Sequence, residues 1–412
     1  MKDVASIVSK IANLQTFRAF HYRNFRFLFV STFAQSLSFF IMMVTLGWQV
    51  LEMTNSPFLV AMVWVARSSP FLLFGVLAGT IADRVNRRKL LIFGFILLAV
   101  CAFLLGILTS RDWIQLWHIF LIAFIMGTIQ TFDMTTRQAL AVDIVGPEDA
   151  MNAIALNAVA MRMMGIAGGI AAGIAIELLG LEWCFYIIVM AYLVGIIVLL
   201  SMREVRRKAG SEQQSTWEDF VEGLRLIGQN RIVLTLAVMA VICEIFGFSY
   251  MVALPVFARD ILKVGAVGLG MLTTAGSIGG LIAALTLASL GDYKHKGWLI
   301  LAIFLSFGVF LVLFSQSPWY PVSLLFIAIV GGMAASMDAM EQIMLQLNVT
   351  DEQRGRAMGI WMLSIGFGPV GHTAVGTMAT LLGAQLALSI NGGIIIVIFF
   401  ILVAFASRLR RI

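Results

Sequence analysis

Between Lys89 and Arg111 the chain carries no charged side chain, and Leu, Ile, Phe and Ala dominate the interval. A helix needs about 20 apolar residues to cross the hydrocarbon of a bilayer. Runs of this kind recur along all 412 residues, separated by short polar breaks. They predict spans at 26–52, 57–82, 89–109, 114–140, 152–177, 184–202, 231–255, 267–290, 298–315, 321–346, 356–379 and 384–406. These twelve spans and their connections use nearly the whole length. The expected fold is an all-α membrane protein with no soluble domain of useful size.

Composition agrees. Hydrophobic residues make up 60% of the chain and charged residues 12%, against about 25% charged in soluble domains. The net charge of +6 does not read as a nucleic-acid surface, because the cations are segregated. In the predicted topology only Arg111, Arg259 and Lys263 fall on the far side, and Arg67 and Arg162 lie inside spans. The other Lys and Arg share the side of both termini. Basic residues are retained on the cytoplasmic face, so both termini are expected in the cytoplasm of a cell bounded by this membrane. Residues 1–23 read as a basic lead-in rather than a cleavable signal.

The longest polar break, 203–230, divides the chain into a bundle over 1–202 and a bundle over 231–412. Trp217, Phe220, Leu224 and Ile227 recur in it at helical spacing, which predicts an amphipathic helix on the membrane surface. The two parts read as repeats. Gly127 precedes Asp133 by the same interval as Gly332 precedes Asp338. Gly165, Gly168 and Gly173 match the spacing of Gly368, Gly371 and Gly376. Asp83 has a counterpart in Asp292.

Residues 79–88 read Gly-x-x-x-Asp-Arg-x-x-Arg-Arg, from Gly79 through Asp83 and Arg84 to Arg87 and Arg88. This resembles the signature loop between helices 2 and 3 of the major facilitator superfamily of secondary transporters. The stretches at 23–29, 66–75 and 132–140 resemble its drug, macrolide and siderophore efflux branch. The resemblance implies two six-helix bundles related by a pseudo-two-fold axis, with the substrate site between them near the midplane. It implies that Asp83 meets the start of helix 11, near 355–359, and that the loop acts as a cytoplasmic gate. A plain topogenic basic loop is the alternative.

Charges inside the hydrocarbon are costly and normally face a protein interior or a watery cavity. Asp133 and Arg137 are one turn apart on one helical face, with Gln130 a turn earlier. They read either as a structural ion pair or as part of the coupling machinery. Asp338 and Glu341 share a face of helix 10, where Gln342 replaces the cation. Two carboxylates there suit proton exchange; the alternative places them in water at the cytoplasmic mouth. Glu244, mid-span with apolar neighbours on both sides, is the first choice for a proton carrier or a contact for a cationic substrate. Arg67 and Arg162 are deep as well, and an arginine stays protonated. Glu244, Asp133, Asp338 or an anionic substrate group are their candidate partners. Gln35, Ser38, Trp48 and Gln49 offer helix 1 polar and aromatic cavity positions.

The glycine runs 165–173 and 366–371 read first as close helix packing. The former resembles the antiporter signature of drug exporters but lacks its proline. Cys101, Cys184 and Cys243 lack metal or redox spacing, and the four His likewise. No P-loop lysine motif occurs, no cofactor or metal is expected, and nothing points to an enzyme. The expectation is a monomeric, proton-coupled exporter of amphipathic small molecules whose partners are substrate, protons and membrane lipids. A siderophore or lysophospholipid transporter of the same fold is one rival. A transport-inactive scaffold or sensor is the rival of another class.

Overall fold

Inside a bilayer every backbone N–H and C=O must be paired within the protein, which leaves a chain of this composition only helices. The computed structural model describes residues 15–146, 148–203, 228, 230–290, 293–350 and 353–405, and among these there is no strand. A short 3-10 turn, Gln15–His21, leads into twelve helical segments. These are α1 (Arg23–Thr54), α2 (Pro57–Arg84), α3 (Arg87–Ser110), α4 (Leu116–Val145), α5 (Ala150–Leu178) and α6 (Leu181–Leu200). After them come α7 (Arg231–Ile261), α8 (Gly265–Leu290), α9 (Lys296–Gln316), α10 (Tyr320–Leu347), α11 and α12 (Ala384–Phe405). The eleventh segment, α11, is broken into Arg354–Ile365 and Gly368–Leu382. The other eleven are each long and apolar enough to cross a membrane.

Local signals set the boundaries. Asn55 takes a left-handed conformation (φ 51°) and ends α1; Ser56 then caps α2 by accepting from the Leu59 N–H, with Pro57 in the first turn. Asn86 caps α3 through the Lys89 N–H, and Asn230 caps α7 through the N–H groups of Ile232 and Val233. These caps satisfy donors that a helix start leaves free.

Two expectations change. The charged stretch 83–89 is hardly a loop: α2 runs through Arg84 and α3 starts at Arg87, so only Val85 and Asn86 connect them. The Asn86 cap lets the second helix begin at once. Also, α7 is not a uniform α-helix. It winds into π-turns at Cys243–Gly247 and Phe257–Ile261, which the apolar run gave no sign of. The amphipathic helix expected over 217–227, Asp292 and residues 1–14 and 406–412 lie outside the described residues.

Among the first six helices α2 packs on α4, α3 on α6, and α1 on α5 and α6. Among the last six α8 packs on α10, and α9 on α12 and α10. Between the groups the extensive contacts are α5 with α8 and α2 with α11. Exchanging each helix for the one six places along maps this pair of contacts onto itself. The α5–α8 seam is tight enough to require glycine: a Cβ on Gly270 would lie 2.3 Å from the Gly169 carbonyl oxygen.

Among the described residues, hydrogen bonds crossing between the groups lie at mid-bundle or toward the end away from the termini. Arg259 donates to the Leu51 carbonyl (2.7 Å), and the Phe58 N–H donates to Thr380 Oγ1 (3.1 Å). Deeper in, Thr274 donates to the Ile166 carbonyl (3.1 Å), and Ser68 lies 3.4 Å from His372 Nδ1.

Candidate functional site

The polar residues inside the bundle form two clusters of opposite sign. The first lies among α1, α2, α4 and α6. Arg137 holds Asp133 with two bonds, Nε to Oδ2 at 3.1 Å and Nη2 to Oδ1 at 2.9 Å. Its remaining nitrogen, Nη1, donates to Ser31 Oγ (2.8 Å) and Thr32 Oγ1 (3.2 Å) of α1. The Phe95 ring covers the guanidinium at 5.4 Å. Both charged residues are buried. A pair closed on every side in this way neutralises itself and fixes α1 to α4. The i, i+4 spacing announced the pair; the Ser31–Thr32 clamp and the Phe95 lid come from other helices and had no sequence signal.

Gln130 does not join the Asp133 pair. Its Oε1 accepts from Gln35 Nε2 at 2.8 Å, and the Gln35 carbonyl oxygen is buried without a partner. Arg67 pairs with none of the carboxylates that the sequence offers it, among the described residues. It is 8% exposed, its Nη1 has no acceptor, and the Phe39 ring covers its guanidinium at 4.9 Å. Asp133, the carboxylate of this cluster, is already taken by Arg137. Of the helix 1 candidates, Trp48 bonds Glu52 (2.7 Å) and Gln49 bonds Thr109 (2.9 Å), which ties both into the protein.

The second cluster lies among α7, α10 and α11. Glu244, which looks isolated in the sequence, stands in the first π-turn of α7 and is close enough to Asp338 and Glu341 for the three carboxylates to repel one another. π-turns within α-helices frequently mark functional positions. Glu341 is 3% exposed with one oxygen unpartnered, so a water-filled mouth is not its setting. Asp338 accepts from the Trp361 indole N–H at 3.0 Å. Sequence reasoning missed Trp361, although an indole N–H in an apolar span needs an acceptor. Among the described residues no Lys or Arg lies within ion-pair distance of these three carboxylates. Arg162 of α5 faces Asp338 from farther off, reaching past Gly280 of α8. Gly368 of α11 borders Glu244: a Cβ on it would sit 3.7 Å from Glu244 Oε2 and 3.6 Å from His372 Cε1.

The basic stretch is engaged within the first six helices. Arg87 pairs with Asp143 and bonds the Ala139 carbonyl of α4. Arg88 donates to the Leu199 and Leu200 carbonyls (2.8 and 2.6 Å) at the end of α6, where a helix favours a cation. Arg84 is exposed, and Gly79 has open space beside it. The side chains of Asp83 and of 354–356 lie outside the described residues, so the Asp83 contact with helix 11 is not on view. The described residues hold no cluster of His, Cys, Asp and Glu fit for a metal ion.

Eleven membrane-length helices, a broken twelfth segment and buried charges on both sides of the α5–α8 and α2–α11 seams define a polytopic membrane protein. The chain belongs to the major facilitator family described as transmembrane secretion effector, whose model matches residues 14–412. It is 24% identical to the staphyloferrin A transporter of Staphylococcus aureus over 89% of this chain and 92% of that one. It is 22% identical to the enterobactin exporter EntS of Shigella boydii over 94% and 92%, and 24% identical to the multidrug efflux pump Tap of Mycolicibacterium fortuitum over 90% and 93%. Among solved structures it superposes on the nucleoside transporter NupG with a TM-score of 0.73 at 15% identity, covering 93% of this chain and 99% of that one. A bacterial homologue of the lysosomal transporter Spinster, inward-facing and unoccupied, gives 0.72 at 12% identity over 97% and 98%. These likenesses support the twelve-helix fold.

Proposed function

We propose that this protein exports amphipathic small molecules across a bacterial cytoplasmic membrane, exchanging them for protons by alternating access between the bundles 1–202 and 231–412. One observation carries the reading: Glu244, Asp338 and Glu341 gather inside the membrane with no cation at pairing distance among the described residues. Three carboxylates in apolar surroundings cannot all remain charged, because each loses its hydration and repels the others. Their ionisations are therefore coupled: protons leave in separate macroscopic steps that belong to the cluster rather than to one residue.

Alternation follows from the packing. The crossing bonds Arg259–Leu51 and Phe58–Thr380 close the end of the bundle away from the termini. With cytoplasmic termini this is the outer end. Opening the far end breaks those bonds and rocks the bundles about the glycine-lined α5–α8 seam. Glu244 sits where α7 and α11 touch, since a Cβ on Gly371 would press within 2.3 Å of the Ile245 carbonyl. Protonation of Glu244 would thus act inside the second bundle, on the helix α11 that meets α2 of the first. Gly79, Asp83, Arg84, Arg87 and Arg88 form the cytoplasmic gate in this reading.

The relatives named as exporters and as a multidrug pump favour efflux over uptake, and two of them carry siderophores in their names. A siderophore is accordingly the first narrower substrate class to try. The test places purified protein in liposomes holding a pH dye. Drugs, macrolides and siderophores are added under an imposed proton gradient. Proton movement that depends on a compound supports exchange. Compound movement without protons replaces it with facilitated transport.

A further inference from the structure

The two clusters differ in charge. On the side of α7 and α10 there are three carboxylates. On the side of α1, α2 and α4, Asp133 and Arg137 cancel, which leaves Arg67 as a deep positive charge with no hydrogen bond or ion pair among the described residues. A buried arginine cannot escape its charge by losing a proton, and holding it unpaired inside a membrane is costly. Arg162 differs, because it faces Asp338 across the seam. For Arg67 the described residues of the first six helices offer no free intramembrane carboxylate, since Glu52 lies at the end of α1 and bonds Trp48.

The surroundings of Arg67 are those of a receptor for an oxygen-bearing group. Phe39 covers the guanidinium and is itself only partly buried, so a shift of one ring uncovers the cation. Tyr192 of α6 is buried beside Arg67, with Ser38 and Asp133 as its other polar neighbours. Gln130, one helical turn along α4 from the crossing of Gly127 and Arg67, accepts from the side-chain amide of Gln35 of α1. The crossing itself is rigid: a Cβ on Gly127 would overlap the Arg67 carbonyl, which fixes where the Arg67 side chain departs.

We propose that Arg67 is the binding point for a carboxylate or similar anionic oxygen group of the transported molecule, with Phe39 as the ring that group displaces. The guanidinium matches a carboxylate with two parallel bonds, and the substrate supplies the countercharge that the protein omits. The substrate class is then an amphipathic organic acid, oriented with its acidic end toward α2 and away from the carboxylates of α7 and α10. This deepens the transport reading and rests on it.

The test measures binding of 11-(dansylamino)undecanoic acid and of its methyl ester to the purified full-length protein in detergent, by dansyl fluorescence. These probes share a tail and differ in the negative charge. The wild type is expected to bind the acid at least about tenfold more tightly, a modest share of a buried charge-assisted pair. In Arg67→Gln that preference should collapse toward one. In Arg67→Lys, which keeps the charge and loses the fork, the acid should still be preferred, by a smaller factor. The inference is overturned if the wild type binds acid and ester alike, or binds no acid. It also fails if both variants weaken acid and ester by the same factor, which is the behaviour of a purely structural arginine. Should Arg67→Gln not fold, the Arg67→Lys ratio alone decides. Proton-flux measurements stand apart, so exchange can hold while the acid site fails.

Discussion

Arg137 grips both carboxylate oxygens of Asp133 one turn below it on α4, at 2.9 and 3.1 Å, and gives its last nitrogen to Ser31 and Thr32 of α1. Removing one member of a buried pair leaves an unpaired charge and costs about 3–5 kcal/mol, whereas replacing both with neutral groups costs much less. Arg137→Gln is therefore expected to lower the thermal midpoint in detergent sharply. The double variant Asp133→Asn, Arg137→Gln should recover a large part of the loss. Additive losses would mean that the pair does not act as a unit.

The α5–α8 seam makes a steric prediction. A Cβ on Gly169 would meet Thr274 Oγ1 at 2.6 Å and the Gly270 carbonyl at 2.7 Å, while one on Gly393 meets nothing within 4 Å. Gly169→Val should reduce both stability and transport. Gly393→Ala should leave transport intact and stabilise slightly, by about 0.5–1 kcal/mol from helix propensity. Melting curves and a flux assay on the two proteins check this directly.

Helix 1 and the Asp133–Arg137 pair show how far the sequence reaches. Charge content, span length and the Gly79–Arg88 pattern were enough for the twelve-helix transporter fold, because hydrophobic length and topogenic charge are properties of the chain itself. Spacing of one turn likewise revealed the Asp133–Arg137 contact. Contacts between distant helices were not legible. Nothing along the chain says that Glu244 stands beside Asp338 and Glu341, that Trp361 bonds Asp338, or that Arg67 ends against Phe39. Those follow from how the helices converge in space. The π-turn at Cys243–Gly247 has no compositional mark either, since its residues are as apolar as their neighbours apart from Glu244 itself.

Closure of the end away from the termini can be locked. The Phe58 N–H and Thr380 Oγ1 are 3.1 Å apart, and the native Cys101, Cys184 and Cys243 are all buried. Phe58→Cys with Thr380→Cys should cross-link under mild oxidation and stop transport, and reduction should restore it. Continued transport by the cross-linked protein would show that this end need not open.

Gly79 gives a state-dependent prediction. It has open space beside it in the described arrangement, so Gly79→Ala should leave the thermal midpoint nearly unchanged. If the stretch gates by docking in the other state, the same variant slows transport severalfold. Equal transport by Gly79→Ala and the wild type would reduce this stretch to a topogenic element.

Coupling through the carboxylate cluster is the central claim, and Glu244→Gln tests it most directly. Two rates are measured in liposomes for one transported compound: exchange at equal concentrations without a pH gradient, and uphill movement driven by a pH gradient. Exchange needs only alternation, whereas uphill movement needs protons to be traded at Glu244, Asp338 and Glu341. Glu244→Gln is expected to retain exchange and to lose uphill movement by at least about tenfold, roughly 1.4 kcal/mol of lost coupling. Full uphill movement in Glu244→Gln, and again in Asp338→Asn and Glu341→Gln, would contradict the claim and leave the three carboxylates without a part in proton transfer.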